Sequence, residues 1–453
     1  MLGAAGAGAS AAVLLAHRAG ALVSGCDPGG PSPYSAALTE AGIDLAWQHS
    51  AEHVLRPDDP GARPERLAVT KALTSIDPDH PELHAAAELG IPAEPWQQVV
   101  ADAAATTGQA LLAVAGTHGK STTSGWMIDL LVRAGRDPSA FVGALLDTQL
   151  AKGTPSTARW GSGDVFVVEA DEYAGNFDAY RPHIMLLLNA EWDHPDVFAD
   201  EEAVLAAFER WIRNAPANAV LIANVDDPGV LRIAERLSVD WPGEIVGVDT
   251  DAHGFEIGLA GPANASNAMA VVTAGRVLGV PESVIRESVA GFRGVGRRLE
   301  LKGEIGGVVV LDDYGHHPTA IAKTLQAVRE RYPGRPVWAV YEPLTYHRTA
   351  SMLDRFAETL ATADHVAIAD IWAGRDQDTT ITSAKTLADA VSARGGPTAV
   401  APGTVEHTAD YLAAQVRPGD VVLVMGGGRS YVIAARLVEL LSTAEADSGR
   451  SPA

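Results

Sequence analysis

At 453 residues, 47% hydrophobic and 20% charged, the chain has the composition of a globular protein with sizeable cores in roughly two to four domains. Its formal net charge of −23 argues against nucleic acid, whose phosphates need clustered Lys and Arg, but not against one phosphorylated ligand at a local positive site. Cys26 is the only cysteine, which excludes an intrachain disulfide and a cysteine-based metal cluster, and no apolar run reaches the length of a membrane span.

The chain opens on a glycine-rich turn, Gly3-Ala-Ala-Gly6-Ala-Gly8. Residues 1–21 lack the basic lead and sustained apolar core of a signal peptide, so a cytoplasmic location is expected. A small-residue helix is predicted over 10–19 and a strand over 22–27, ending at Asp27. Glycine turn, helix, strand and an acidic residue about twenty positions on form the layout of a dinucleotide-type first unit. The strand that should precede Gly3 is reduced to Met1 and Leu2, so either the start lies too late or the first strand is truncated.

Pro, Asp and Arg over 56–66 predict a surface loop. A strand follows over 67–74, a helix over 81–89, and a helix over 101–109 that runs into a Thr-Thr-Gly break, a plausible hinge. The apolar run 110–115 then ends in Gly116-Thr117-His118-Gly119-Lys120-Ser121-Thr122 and opens into a helix over 124–134. That is the strand–loop–helix context of a phosphate-binding loop. Its glycines let backbone N–H groups face phosphate oxygens, Lys120 reaches the terminal phosphates, and Ser121 offers a hydroxyl to Mg²⁺. Val114 stands where the strict pattern wants glycine, so the loop is a variant.

Apolar strands continue at 165–168, 184–188, 220–222 and 245–248, alternating with helical stretches. Glu169-Ala-Asp171-Glu172 and Asn189-Ala-Glu191-Trp-Asp193-His194 fall at the C-terminal ends of two of them, where open α/β sheets bind ligands. Glu169 and His194 there have the chemistry to hold metal from two sides; the bland alternative is capping carboxylates and a packed histidine. Asn264 and Asn267 stand at a helix start, as caps or as amides for an adenine edge. A break at 291–296 precedes Arg297-Arg298-Leu-Glu300 and renewed alternation, with strands at 308–311, 336–341, 365–368, 399–400 and 421–425. Asp312-Asp313-Tyr314-Gly-His316-His317 follows the first of these and is dense in titratable groups for a purely structural turn. The economical reading is α/β with largely parallel, doubly wound sheets in three domains, 1–106, 107–296 and 297–453.

In this order the motifs resemble the Mur ligases, ATP-dependent amide-forming enzymes of peptidoglycan synthesis. Gly116 to Ser121, Glu169-Ala-Asp-Glu172, Asn189-x-Glu-x-Asp-His194, Asn264-x-x-Asn267, Arg298-x-Glu300 and Asp313-Tyr-Gly-His-His-Pro318 match successive blocks of that family. The glycine start and the His-His-Pro run are similar to its alanine-adding branch and to the related tripeptide-recycling branch. The resemblance implies a Rossmann-like N-terminal domain, a central P-loop ATPase-type parallel sheet and a Rossmann-like C-terminal domain. It implies ATP and Mg²⁺ as cofactors, and UDP-N-acetylmuramate and L-alanine as small-molecule substrates. Gly6, Gly8 and Asp27 would then face the UDP diphosphate. Lys120 would hold the β/γ-phosphates, Ser121 and Glu169 one Mg²⁺, and His194 a second. Asn264, Asn267, Arg298 and Asp313 would complete the nucleotide site; His316, Tyr314, Tyr346 and Arg348 would meet the amino acid or acyl phosphate. Two departures bear on the acceptor. Leu344 stands where alanine-adding ligases carry His, and Gly426-Gly-Gly-Arg429 replaces Gly-Ala-Gly-Asp. A recycling ligase and a non-catalytic regulator on the same fold are the competing readings.

Overall fold

The N-terminal stretch builds four three-residue strands, β1 (Ser24–Cys26), β2 (Asp44–Ala46), β3 (Leu67–Val69) and β4 (Ala93–Pro95), paired in parallel as β1 with β2 and β3 with β4. Leu2 joins the two pairs: it makes a parallel bridge to Cys26, and its N–H donates to Ala68 O at 2.9 Å. Leu2 thus occupies a strand's place between the two pairs. The expected strand over 67–74 stops at Val69, because Thr70 Oγ1 accepts from Leu73 N at 3.2 Å and caps a helix, Lys71–Ile76. The expected helix 10–19 begins earlier, at Ala7. Gly8 therefore lies inside it, where a Cβ would stand 2.3 Å from the Trp96 ring, a packing reason for its glycine. The expected helix 101–109 spans Trp96–Thr107 and ends at Gly108, which takes the left-handed conformation (φ 68°).

Seven strands form the central sheet: β5 (Ala110–Ala115), β6 (Ser139–Leu146), β7 (Ser156–Arg159), β8 (Val165–Ala170), β9 (Ile184–Leu187), β10 (Val220–Ala223) and β11 (Glu244–Gly247). Their order is β11-β10-β9-β5-β8-β6-β7, parallel except for the β6–β7 pair. Near-continuous apolar runs such as β5 and β8 are what a sheet covered on both faces requires. After β5 the chain crosses to one side and returns, and β9 then adds on the other side. The C-terminal end of β5 is thus at the switch point, where ligands bind in such sheets.

The C-terminal sheet has six strands, β12 (Glu300–Ile305), β13 (Val308–Asp313), β14 (Val337–Tyr341), β15 (His365–Ala369), β16 (Ala399–Gly403) and β17 (Val421–Met425). They run in the order β12-β13-β17-β14-β15-β16, parallel except that β12 joins β13 as an antiparallel edge. The ends of β13, β17 and β14 are neighbours in this order, which brings Asp313, Gly426 and Glu342 to one rim. The computed structural model describes residues 1–448 apart from 78, 375 and 377. It falls into two units, the first of residues 1–193, 197–258 and 266–296, the second of residues 194–196, 259–265 and 297–453. No helix among the described residues is long and apolar enough to cross a membrane.

Candidate active site

In the first unit the loop after β5 is held by the segment after β9. Asn189 O accepts from Thr117 N at 3.2 Å, Asn189 Oδ1 accepts from His118 N at 2.7 Å, and Asn189 Nδ2 donates to His118 O at 3.0 Å. Thr117 Oγ1 donates to Glu191 O at 3.1 Å and accepts from Glu191 N at 2.9 Å. Gly116 (φ 139°) must be glycine, since a Cβ would meet Asn189 O at 3.0 Å. Gly119 (φ 83°) likewise leaves room for Asn267, whose Oδ1 lies 2.6 Å from where its Cβ would be. Asn267 thereby buttresses the loop, while Asn264 donates to Ala260 O at 2.7 Å. Neither is the N-cap of the helix Pro262–Val277, which begins two and five residues before them.

The helix expected over 124–134 begins at Lys120, so Lys120, Ser121 and Thr122 form its first turn. Lys120 Nζ donates to Gly116 O at 2.7 Å and to Glu172 Oε2 at 2.8 Å, with Asp171 Oδ1 at 3.3 Å. Burial opposes the lysine charge, but Glu172 and Asp171 outweigh it and hold the ammonium protonated. Burial pushes the Glu172 carboxyl up, against the pull of Lys120. Ser121 Oγ donates to Glu169 Oε1 at 3.0 Å, and Glu169 Oε2 accepts from Gly143 N at 2.7 Å. Any side chain at Gly143 would collide with this carboxylate, its Cβ standing 2.8 Å from Oε1. A hydroxyl and a buried carboxylate, side by side at a helix N-terminus, are hard oxygen donors that fit Mg²⁺. Asn189, which holds the loop, and Glu172, which pairs with Lys120, are positions that the motifs contain but that sequence reasoning left without a role. At the N-terminal glycine turn, Asp27 Oδ2 accepts from Ala5 N at 3.0 Å, and Gly6 is the N-cap of the helix Ala7–Arg18.

In the second unit Asp313 organises the rim. Its Oδ2 accepts from Leu299 N at 2.8 Å and its Oδ1 from Gly315 N at 2.7 Å. Arg297, buried at a left-handed backbone position (φ 57°), donates to Gly426 O and Ser430 Oγ, both at 2.8 Å, and to Asp312 Oδ2 at 3.3 Å. Arg298 lies over the Tyr314 ring, 4.7 Å from its centroid. His316 Nδ1 is 3.2 Å from Tyr314 O. His194, left-handed at φ 56°, takes a hydrogen bond on Nδ1 from Arg348 Nη2 at 3.0 Å. Because guanidinium only donates, that ring carries its proton on Nε2, and metal binding by His194 requires it to release Arg348. Arg348 is buried in the short helix Tyr346–Ser351, which Thr345 caps.

The two departures from the alanine-adding pattern meet in space. A Cβ on Gly427 would lie 3.1 Å from Leu344 Cδ2 and 3.2 Å from the Tyr314 ring; one on Gly428 would lie 2.7 Å from Trp372 and 3.0 Å from Glu342 Oε2. Glu342 is buried, its Oε2 has no hydrogen-bond partner, and burial raises its pKa against the N–H groups of Arg429 and Ser430. Sequence reasoning passed over it, although a carboxylate directly after an apolar strand was the same signal that marked Glu169.

Residues 1–107 match the family model described as Mur ligase family, catalytic domain; residues 114–247 match the Mur ligase middle domain; residues 297–428 match the Mur ligase glutamate ligase domain. The UDP-N-acetylmuramate–L-alanine ligase of Kineococcus radiotolerans is 36% identical over 98% of this chain and 96% of its own length. The protein of the same name from Acidothermus cellulolyticus is 34% identical over 96% and 93%. Among solved structures, the UDP-N-acetylmuramate–alanine ligase of Thermotoga maritima has the same fold, with TM-score 0.78, 23% identity and coverage of 98% of each chain. The murein peptide ligase of Psychrobacter arcticus also has it, with TM-score 0.73, 24% identity and coverage of 97% and 98%. Phosphate loop, acidic strand ends and whole-length similarity agree, and the chain belongs to the Mur ligase family.

Proposed function

We propose that the chain joins L-alanine to the lactyl carboxyl of UDP-N-acetylmuramate, with ATP and Mg²⁺, in the cytoplasmic synthesis of peptidoglycan precursors. The observation that carries this reading is the phosphate loop, with Lys120 and the Ser121–Glu169 pair at the switch point of the central sheet. Residues 1–106 would bind the UDP end through Gly6 and Asp27, 107–296 the nucleotide, and 297–453 the amino acid.

The lactyl carboxylate attacks the γ-phosphorus of ATP, forming an acyl phosphate and releasing ADP. Lys120 lowers the repulsion between two anions by moving its charge from Glu172 to the phosphates. Mg²⁺, when bound by Ser121 and Glu169, supplies further positive charge to the phosphate oxygens. Arg348 binds the amino acid's carboxylate with its planar fork, and the deprotonated amine then attacks the acyl carbon. Collapse of the tetrahedral intermediate expels phosphate and leaves the amide. Asn264, Asn267, Arg298 and Asp313 line the nucleotide; Tyr314, His316 and Tyr346 border the acceptor.

L-alanine is favoured over the tripeptide because the two relatives described, at 34% and 36% identity, bear the alanine-ligase name. A non-catalytic regulator is disfavoured, since it has no need of Lys120, Glu169 and Asp313 together. The test is phosphate release with ATP and UDP-N-acetylmuramate, comparing L-Ala, L-Ser, Gly and L-Ala-γ-D-Glu-meso-diaminopimelate. L-Ala should be used best, with L-Ser and Gly weaker but measurable because Leu344 replaces the usual His. A tripeptide used far better than any free amino acid overturns the alanine reading.

A further inference from the structure

Apart from the phosphate loop, the first unit contains a second constellation of metal-binding side chains. Cys26 ends β1 and is 3% exposed; Glu82 is in the first turn of the helix Pro81–Glu88 and is 2% exposed; His49 follows β2. Cys26 Sγ lies 3.3 Å from His49 Nδ1 and 3.2 Å from Glu82 Oε1, and His49 Nδ1 lies 3.7 Å from Glu82 Oε1. A tetrahedral zinc ion with bonds of about 2.0–2.3 Å needs ligand-to-ligand edges of about 3.4–3.6 Å, so all three edges are within a few tenths of an ångström of the requirement.

The surroundings favour a cation. Among the described residues, the ion-pair partners of the buried Glu82 carboxylate are His49 and His53, both titratable, with neither Lys nor Arg. The amino group of Met1 donates to Ser24 O at 2.9 Å and acts on Cys26 and Glu82 through its charge, without a hydrogen bond to either among the described contacts. Glu82 Oε1 is oriented by Ser50 N at 3.1 Å and by His53 Nδ1 at 3.0 Å, as carboxylate ligands usually are by outer partners. His80 packs its ring edge-on against His49, centroids 4.3 Å apart, and accepts from Glu82 N on Nδ1; its Nε2 is buried without a hydrogen-bond partner. An unpaired polar atom in the wall of such a cluster is the second sign that a ligand is missing there.

We propose that Cys26, His49 and Glu82 form a binding site for a thiophilic divalent cation of the zinc class, with water as fourth ligand within reach of His80. A single thiolate is enough where imidazole and carboxylate supply the other donors. The ion would tie β1, the segment after β2 and the helix Pro81–Glu88 together, in a part of the chain whose strands are only three residues long. It is separate in chemistry from the phosphate loop, whose donors are oxygen only.

Because Cys26 is the chain's only cysteine, a thiolate-to-Co(II) charge-transfer band reports this site alone. The metal-free full-length protein is titrated with Co²⁺ in excess Mg²⁺, which fills any oxygen-donor site. The band should saturate at one equivalent, vanish when Zn²⁺ displaces Co²⁺, and be absent in Cys26→Ser. Competition with a chromophoric chelator should show Zn²⁺ affinity lowered at least ~10-fold in His49→Gln and Glu82→Gln. Zn²⁺ should also raise the melting temperature of the unaltered protein but not of Cys26→Ser. No band at stoichiometric Co²⁺, or Zn²⁺ affinity unchanged in both the His49 and Glu82 variants, overturns the proposal. Circular dichroism of each variant shows whether a lost signal reflects a lost ligand or a lost fold.

Discussion

Each unit buries a cation beside acid at the C-terminal ends of parallel strands, but the two arrangements are built differently. Around Lys120 the acids come from one short run, Glu169 to Glu172, and the lysine is a flexible point charge that can exchange Glu172 for phosphate. Around Arg297 the partners come from two strands and a helix start: Asp312 from β13, Gly426 O directly after β17 and Ser430 Oγ from the first turn of the helix that follows it, the last two neutral. A guanidinium fixed by several directional bonds cannot follow a ligand as a lysine can. The first arrangement has the properties of working machinery, the second those of a rigid frame. The comparison teaches that similar burial of charge at similar strand ends serves different ends, depending on how many directions hold the cation.

Removing Lys120 should separate the two most clearly. Lys120→Ala takes away the cation facing the transferred phosphoryl group, and turnover should fall by ~10²-fold or more. It also takes the Lys120 ammonium away from the buried Glu172 and its neighbour Asp171, so stability at neutral pH should fall by about 3 kcal/mol. Protonation of Glu172 relieves the repulsion, so the stability loss should shrink as pH falls. Ligation assays and thermal melts at two pH values read both effects; near-normal ligation would remove the phosphate-loop assignment.

Arg348→Lys tests the acceptor end in the same terms. Losing the bidentate fork should raise the apparent KM for L-alanine at least ~10-fold, with a smaller change for UDP-N-acetylmuramate. Equal changes in both would mean that Arg348 positions the unit rather than the amino acid.

Why the first arrangement was legible in sequence and the second was not follows from chain separation. The phosphate loop, β5 and the Glu169 run are local, and β5 and β8 announce themselves as unbroken apolar runs. Buttressing by Asn189 reaches the loop across some seventy residues, and no local pattern records such a bond. Glu342, Leu344 and Gly426 to Gly428 likewise converge only because β14 pairs with β17. Five strands escaped notice: β2 and β4 are only three residues long, and the other three are hidden for chemical reasons. β6 is interrupted by Gly143, kept small by Glu169; β7 is four residues of Ser, Thr, Ala and Arg; β12 is a half-exposed antiparallel edge without an apolar run. Conversely, a strand was expected over 67–74 because β-branched Thr70 reads as strand when its hydroxyl is in fact a cap.

Glu169→Gln should act more gently than either change above. The amide keeps an oxygen for Ser121 or Gly143 but removes the anion, so the Mg²⁺ concentration for half-maximal rate should rise ~10-fold. An unchanged Mg²⁺ dependence would mean that Glu169 only braces Ser121 and Gly143.

The remaining effect belongs to the frame, touches stability rather than turnover, and is revealed by pH. Asp312 is 1% exposed; burial raises its pKa from 3.8 to about 6 despite Arg297, and its Oδ1 has no hydrogen-bond partner. A carboxyl whose pKa is higher folded than unfolded favours folding in its protonated form. Its contribution is complete below pH 4 and is lost as pH rises through 6. Asparagine resembles the protonated acid in shape and neutrality and does not titrate. The melting temperature of Asp312→Asn minus that of the unaltered protein should therefore become more positive from pH 4 to pH 7, corresponding to at most about 3 kcal/mol. The absolute offset includes the lost bond to Arg297, but the slope with pH does not depend on it. A flat difference across that range would mean that Arg297 keeps Asp312 ionised throughout. The frame would then balance its charge as fully as Lys120 and its acids do, and the contrast between the two arrangements would reduce to mobility of the cation alone.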